Sequence, residues 1–105
     1  MSDRLLRGVL IGTGSIAPYH LAAWQRVPGV QIAAVCDRVV EKAYALAGRF
    51  NIGAEHVYAN LDDLLAREPA LDFIDIATAP HLHRAHTEAA AARGLHVLCQ
   101  KPLAP

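Results

Sequence analysis

The stretch GVLIGTGSIAPYHLAAWQRV, residues 8–27, decides the fold. Residues 8–12 form an apolar run of strand length, and from Ser15 the spacing becomes that of a helix, which Pro28-Gly29 ends. Pro18 falls in the first turn of that helix, where its missing N–H has no intrahelical partner to lose. Between strand and helix lies GTGSIA, with Gly12, Gly14 and Ala17 in the spacing G-x-G-x-x-[GA]. Each small residue has a mechanical use: Gly12 for the tight turn, Gly14 for close approach of the backbone to a pyrophosphate, Ala17 for close packing of helix on sheet. The exposed N–H groups of the helix N-terminus would carry the pyrophosphate, and Thr13, Ser15 and Ile16 are expected among the cofactor-binding residues. Taken alone, the same pattern is what glycines punctuating any strand-to-helix turn would leave.

Outward from this unit the alternation continues. VQIAAVCD (30–37) reads as a second buried strand, and the segment after it places Val40, Ala43, Tyr44, Ala47 and Phe50 on one helical face. HVYA (56–59) is a short strand, and Asn60 caps a helix through Leu61, Leu64 and Leu65 that Pro69 closes. DFIDIAT (72–78) is a fourth strand, HRAHTEAAAAR (83–93) a helix with Gly94 at its C-terminal cap, and HVLCQ (96–100) a fifth strand. Strands alternating with helices predict an α/β fold: a Rossmann-type, doubly wound parallel sheet of order 3-2-1-4-5 in three α/β/α layers. Asp75 has no place in a central strand that should be apolar on both faces.

At 105 residues the chain accommodates one domain, 1–105. Ten basic and ten acidic residues cancel, and neither sign forms a run, which speaks against a nucleic-acid groove or an anionic membrane surface as partner. No apolar run approaches the roughly 20 residues of a bilayer span, and the run Val9 to Ile11 is too short for a signal peptide. A cytoplasmic protein is expected.

Asp37 stands 20 residues after Ala17, at the expected end of the second strand. A carboxylate there can accept hydrogen bonds from both ribose hydroxyls of an adenosine and repels a 2′-phosphate, which favours NAD over NADP. A surface turn aspartate or a helix N-cap is the plainer reading of the same residue. Arg38 weakens the preference for NAD, since a guanidinium can pair with a 2′-phosphate, stack on adenine, or lie in solvent.

With these features the sequence resembles the Gfo/Idh/MocA oxidoreductases. The likeness runs through the glycine turn, VCDR, DIATAPHLHRAH (75–86), similar to the family's I-A-T-P-N-x-x-H, and GLHVLCQKPLA (94–104), similar to its G-K-H-V-L-C-E-K-P-L-A. The resemblance implies that Lys101 is an active-site lysine at the nicotinamide end of the cleft, contacting cofactor and substrate. It further implies that Thr78, Ala79, Pro80, His83 and Gln100 line the cofactor beside Lys101. Open α/β sheets bind ligands beyond the carboxyl ends of their strands, which agrees with a lysine just past the fifth strand. Two departures stand out: Gln100 replaces the family's glutamate, and Ala79-Pro80 stands where the family has Pro-Asn.

The resemblance also implies a second domain, absent here, that carries most substrate contacts and builds a homo-oligomer. The chain is therefore expected to be the cofactor-binding part of a larger dehydrogenase, inactive alone, binding a nicotinamide dinucleotide and serving a small-molecule hydroxyl substrate in the full-length enzyme. A stand-alone nucleotide-sensing module and a non-redox, NAD-dependent glycosidase relative are the rival readings.

His81, His83 and His86 form H-x-H-x-x-H, but no cysteine or carboxylate completes a metal set, and no metal is expected. His20, His56 and His96 look like ordinary packing or surface positions. Cys36 and Cys99 would stand three strand spacings apart, about 14 Å, beyond disulfide reach, so free thiols are expected.

Overall fold

The computed structural model describes residues 5–77 and 80–99, with backbone only at 80–83 and 99. Its strands are β1 (Leu6–Ile11), β2 (Val30–Cys36), β3 (Val57–Tyr58), β4 (Phe73–Ile76) and β5 (His96–Cys99). They form one parallel sheet in the order β3-β2-β1-β4-β5, the order expected from the sequence. The helices are α1 (Ala17–Gln25), α2 (Val40–Arg49), α3 (Leu61–Arg67) and α4 (Pro80–Ala92), with a 3-10 turn at Ala54–His56.

The reversal of strand order at β1 sends α1 and α2 to one face and α3 and α4 to the other. One apolar cluster gathers Leu10, Ala17, Leu21, Val35, Ala43, Leu46 and Ala47. The opposite cluster gathers Val9, Ile11, Ala34, Leu64, Ile74, Ile76 and Ala90. Neighbouring residues of β1 thus feed opposite clusters, so its buried stretch Val9 to Ile11 is apolar at successive positions rather than alternating.

Helix starts follow local chemistry. Pro18 sits in the first turn of α1, as the sequence predicts, and Asn60 caps α3 by accepting the Asp63 N–H at 2.8 Å. The helix expected from Ser15 begins at Ala17, because Gly14 to Ile16 form the turn above it. Helix α4 begins at Pro80, three residues before the expected start, since proline suits a first helical turn. Tyr44 is a correction: it is 47% exposed rather than on the buried face of α2. The buried face is centred on Ala43, Leu46 and Ala47, and Tyr44 lies about 100° round the helix from Ala43. The small alanines seat α2 close to the sheet, and Leu46, not singled out in the sequence, fills the space between them.

Gly8 has a packing reason that the sequence does not reveal. A Cβ there would lie 2.1 Å from the Phe73 ring, which also meets the Trp24 ring of α1 in a tilted contact, centroids 4.8 Å apart. The Trp24 ring, tilted by 40° against it, limits how far Phe73 can yield. Gly8→Ala is expected to lower stability by about 1–3 kcal/mol through overpacking, read as a lower urea midpoint at unchanged slope.

Among the described residues, no helix is long and apolar enough to cross a membrane.

Candidate cofactor site

The turn between β1 and α1 stands at the carboxyl edge of the sheet, clamped by both neighbouring strands. The Gly12 N–H donates to the Cys36 carbonyl at 2.8 Å, and the Ala77 N–H donates to the Ile11 carbonyl at 2.8 Å. Gly12 itself has φ +100°, a region that L side chains rarely adopt, so the glycine is required by the turn. Gly14 differs: among the described residues, its two chain neighbours aside, a Cβ there would meet no atom within 4 Å. Packing of the described residues does not demand glycine at that position and leaves room there for a ligand. Ala17 is fully buried against the cluster of Leu10 and Leu21, as expected of the third small residue. Ser15 and Ile16 are exposed at the helix start, with Ile16 at the N-cap position and no side-chain cap bond.

Asp37 follows β2 directly, one residue beyond the strand's observed end. Its Oδ2 accepts the Thr13 N–H at 2.8 Å and the Thr13 hydroxyl at 2.6 Å, while Oδ1 accepts the Val39 N–H at 2.8 Å. The carboxylate is thereby tied to the centre of the glycine turn. Burial raises its pKa, but the Thr13 hydroxyl, the two backbone N–H groups and the charge of Lys42 outweigh burial and hold the carboxyl below its ordinary range. Asp37 is an anion under all ordinary conditions. Arg38, next along, is exposed.

Pro80 opens α4 and His83 lies in its first turn, which places their backbone on the α4 side of the sheet. Thr78, Ala79, Gln100 and Lys101 lie outside the described residues. The structure thus brings Gly12, Thr13, Gly14 and Asp37 together in one hydrogen-bonded unit.

Two groups escaped the sequence reading. Asp75, awkward in a buried strand, is 4% exposed, and its Oδ2 accepts from Trp24 Nε1 at 2.8 Å and lies 2.8 Å from His20 Nδ1. The Trp24 indole N–H can only donate, so one bond of this oxygen is fixed in direction, and the other ties it to the His20 ring. His20 is therefore part of a polar network between α1 and β4, and not an ordinary packing position. The signal was present: His20 and Trp24 are four apart on one helix face, and one acid interrupts the opposing apolar strand.

The second group surrounds Glu68, whose Oε2 accepts the Tyr58 hydroxyl at 2.6 Å and lies 2.8 Å from His56 Nδ1. Arg7 approaches Glu68 Oε1 at 3.7 Å and donates to the Pro69 carbonyl, while its N–H bonds the Asp72 carboxylate at 2.8 Å. Burial, then Glu68 as hydrogen-bond acceptor and charge, push the Tyr58 phenol up to about 12. His56, like His20, is a network residue. With Arg7 at the start of β1 and Asp72 just before β4, this cluster reaches the amino edge of the sheet, away from the glycine turn.

Cys36 is buried and free, and burial with the charges of Asp37 and Asp63 pushes its thiol up to about 12, which makes it a poor nucleophile. Among the described residues, no three His, Cys, Asp or Glu side chains are placed to hold a metal ion.

The glycine turn, the anionic carboxylate after β2 and the strand reversal at β1 agree with what known proteins show. The family model for an oxidoreductase family with an NAD-binding Rossmann fold, GFO_IDH_MocA, matches residues 6–105. D-apiose dehydrogenase of Paraburkholderia graminis is 41% identical over 98 residues, 93% of this chain and 25% of that protein. The scyllo-inositol 2-dehydrogenase (NADP(+)) of Bacillus subtilis is 31% identical over 95% of this chain and 30% of its own length. Among solved structures, an oxidoreductase from Agrobacterium radiobacter, in complex with NAD+, L-tartaric acid and magnesium, superposes with a TM-score of 0.85 at 41% identity. That match covers 94% of this chain and 28% of the other. The chain thus spans only about a quarter to three-tenths of the relatives it matches. From Leu6 to its end, the chain belongs to the Gfo/Idh/MocA oxidoreductases and is formed as their NAD-binding Rossmann domain.

Proposed function

We propose that this domain, 1–105, is the cofactor-binding part of a full-length oxidoreductase that passes a hydride between nicotinamide and a sugar, polyol or related hydroxyl compound, with NAD(H) preferred over NADP(H). One observation carries the preference: Asp37 is fixed as an anion beside the glycine turn by three hydrogen bonds. There its remaining acceptor site, on Oδ1, takes a ribose hydroxyl, and its charge repels a 2′-phosphate. Gly12 shapes the turn, Gly14 lets the pyrophosphate approach, and the start of α1 at Ser15 and Ile16 supplies N–H groups to it. The room that the described residues leave at Gly14 fits that use.

When bound, the nicotinamide supplies the two-electron chemistry, and the protein supplies position and electrostatics. Thr78, Ala79, Pro80, His83 and Gln100 are proposed to line its path. Lys101 is proposed to steady the substrate oxygen, a role supported by the family motif and by its place in sequence two residues after β5. The relatives named above are dehydrogenases, which favours the redox reading over a sensing module or a glycosidase. The active protein is further proposed to be a cytoplasmic homo-oligomer whose substrate contacts come mostly from the remaining length, with this domain alone not expected to turn over substrate.

Titration calorimetry with NADH and NADPH tests the reading. NADH is expected to bind more tightly by about 1–3 kcal/mol, and Asp37→Ser to erase or reverse the difference. Equal affinities in the unaltered protein would remove Asp37 from the ribose site and promote Arg38.

A further inference from the structure

Beside its backbone N–H, Thr13 presents a hydroxyl whose use the glycine motif does not explain. A carboxylate offers about four lone-pair sites. On Asp37, the Thr13 N–H and hydroxyl fill Oδ2 and the Val39 N–H takes one site on Oδ1, which leaves one site, on Oδ1. At 2.6 Å the hydroxyl makes the shortest of the three bonds, and the only one that depends on a side chain. Next to the pair lies a cavity of about 210 Å³ lined by Thr13 and Pro18 together with the cations Lys42 and Arg49. A 2′-phosphate entering that region would find two positive charges and one negative one. The outcome turns on whether the carboxylate stays in place or gives way, by rotating or by taking a proton.

We propose that the Thr13 hydroxyl is a specificity-determining group, pinning the Asp37 carboxylate in place so that a 2′-phosphate cannot displace it. Thr13 acts through Asp37 and is a positioning residue. The lowered pKa of Asp37, to which the same hydroxyl contributes, agrees, since relief by protonation becomes harder. The inference rests on the proposed preference for NAD(H), with Asp37 as its source.

The test compares NADH and NADPH dissociation constants in the full-length protein for Thr13, Thr13→Val and Thr13→Ser. Valine keeps the shape and loses the hydroxyl; serine restores it. The NADH preference is expected to shrink about five- to tenfold in Thr13→Val and to return in Thr13→Ser. A merely structural lesion would weaken both cofactors together and leave their ratio unchanged. If Thr13→Val fails to fold, Thr13→Ala gives the same comparison. An unchanged ratio in the hydroxyl-free variant, alongside a lost preference in Asp37→Ser, overturns the role of Thr13 and leaves that of Asp37 intact. Failure of Thr13→Ser to restore the ratio also overturns it. An unaltered protein without NADH preference would instead overturn the underlying reading, and the inference with it.

Discussion

Asp75→Ala is expected to remove about 2–4 kcal/mol from a domain whose whole stability is on the order of 5–15 kcal/mol. The substitution deletes the carboxyl oxygen shared by Trp24 Nε1 and His20 Nδ1, both 2.8 Å from Oδ2, and leaves the indole N–H at the α1 face of β4 with its acceptor gone. It also opens a void next to Leu10, the register partner of Asp75 on β1 and itself fully buried. Asp75→Asn keeps one acceptor oxygen and nearly the same volume, so its loss should be smaller, about 1–2 kcal/mol. Urea denaturation of the three proteins orders them: wild type, Asn, Ala. An alanine variant within about 1 kcal/mol of wild type would show that the network is not a determinant of stability. The effect bears on function through α1, whose start forms one wall of the glycine turn, because Asp75 joins the middle of that helix to the central strand.

How far this was legible from sequence differs by level. Strand order was legible because each strand is an apolar run and each crossover a helical one, and a right-handed βαβ chain leaves few ways to arrange them. The glycine turn was legible because its demands are backbone demands: the positive φ of Gly12 excludes other residues whatever surrounds it. Gly8 was not, since its reason is the Phe73 ring arriving from 65 residues away in sequence. Asp75, His20, Glu68 and His56 fall in the same class. A buried carboxylate is stable only with donors brought to it by tertiary structure, and sequence spacing names the acid without naming its partners. Tyr44 shows the limit of periodicity: five apolar residues lie within reach of one face, but which of them the sheet covers depends on how the alanines let the helix settle.

The candidate site divides along the same line. Asp37 was legible as an acid after the second strand, because its distance from the glycines follows from the length of one βαβ unit. That Thr13 supplies two of its three hydrogen bonds was not, since the side chain of a variable motif position carries no pattern. Charge pairing at the opposite edge, between Arg7 and Glu68, was equally hidden, the partners standing 61 positions apart in sequence.

In the full-length enzyme, Lys101→Ala is expected to lower kcat about a hundredfold while changing NADH affinity little. The proposed cofactor contacts separate in space: Gly12, Gly14 and Asp37 gather at the ends of β1 and β2, whereas β5, which Lys101 follows by two residues, lies two strands away on the far side of β4. The adenosine and pyrophosphate anchors are thus independent of the lysine, and its removal leaves them in place. A charged donor aimed at a developing alkoxide contributes on the order of 3 kcal/mol in the transition state, which is the hundredfold. Steady-state kinetics with a separate NADH titration distinguishes the outcomes. Wild-type kcat in Lys101→Ala, or a loss of activity that follows entirely from lost NADH binding, would show that the lysine in CQKP does not act on the substrate.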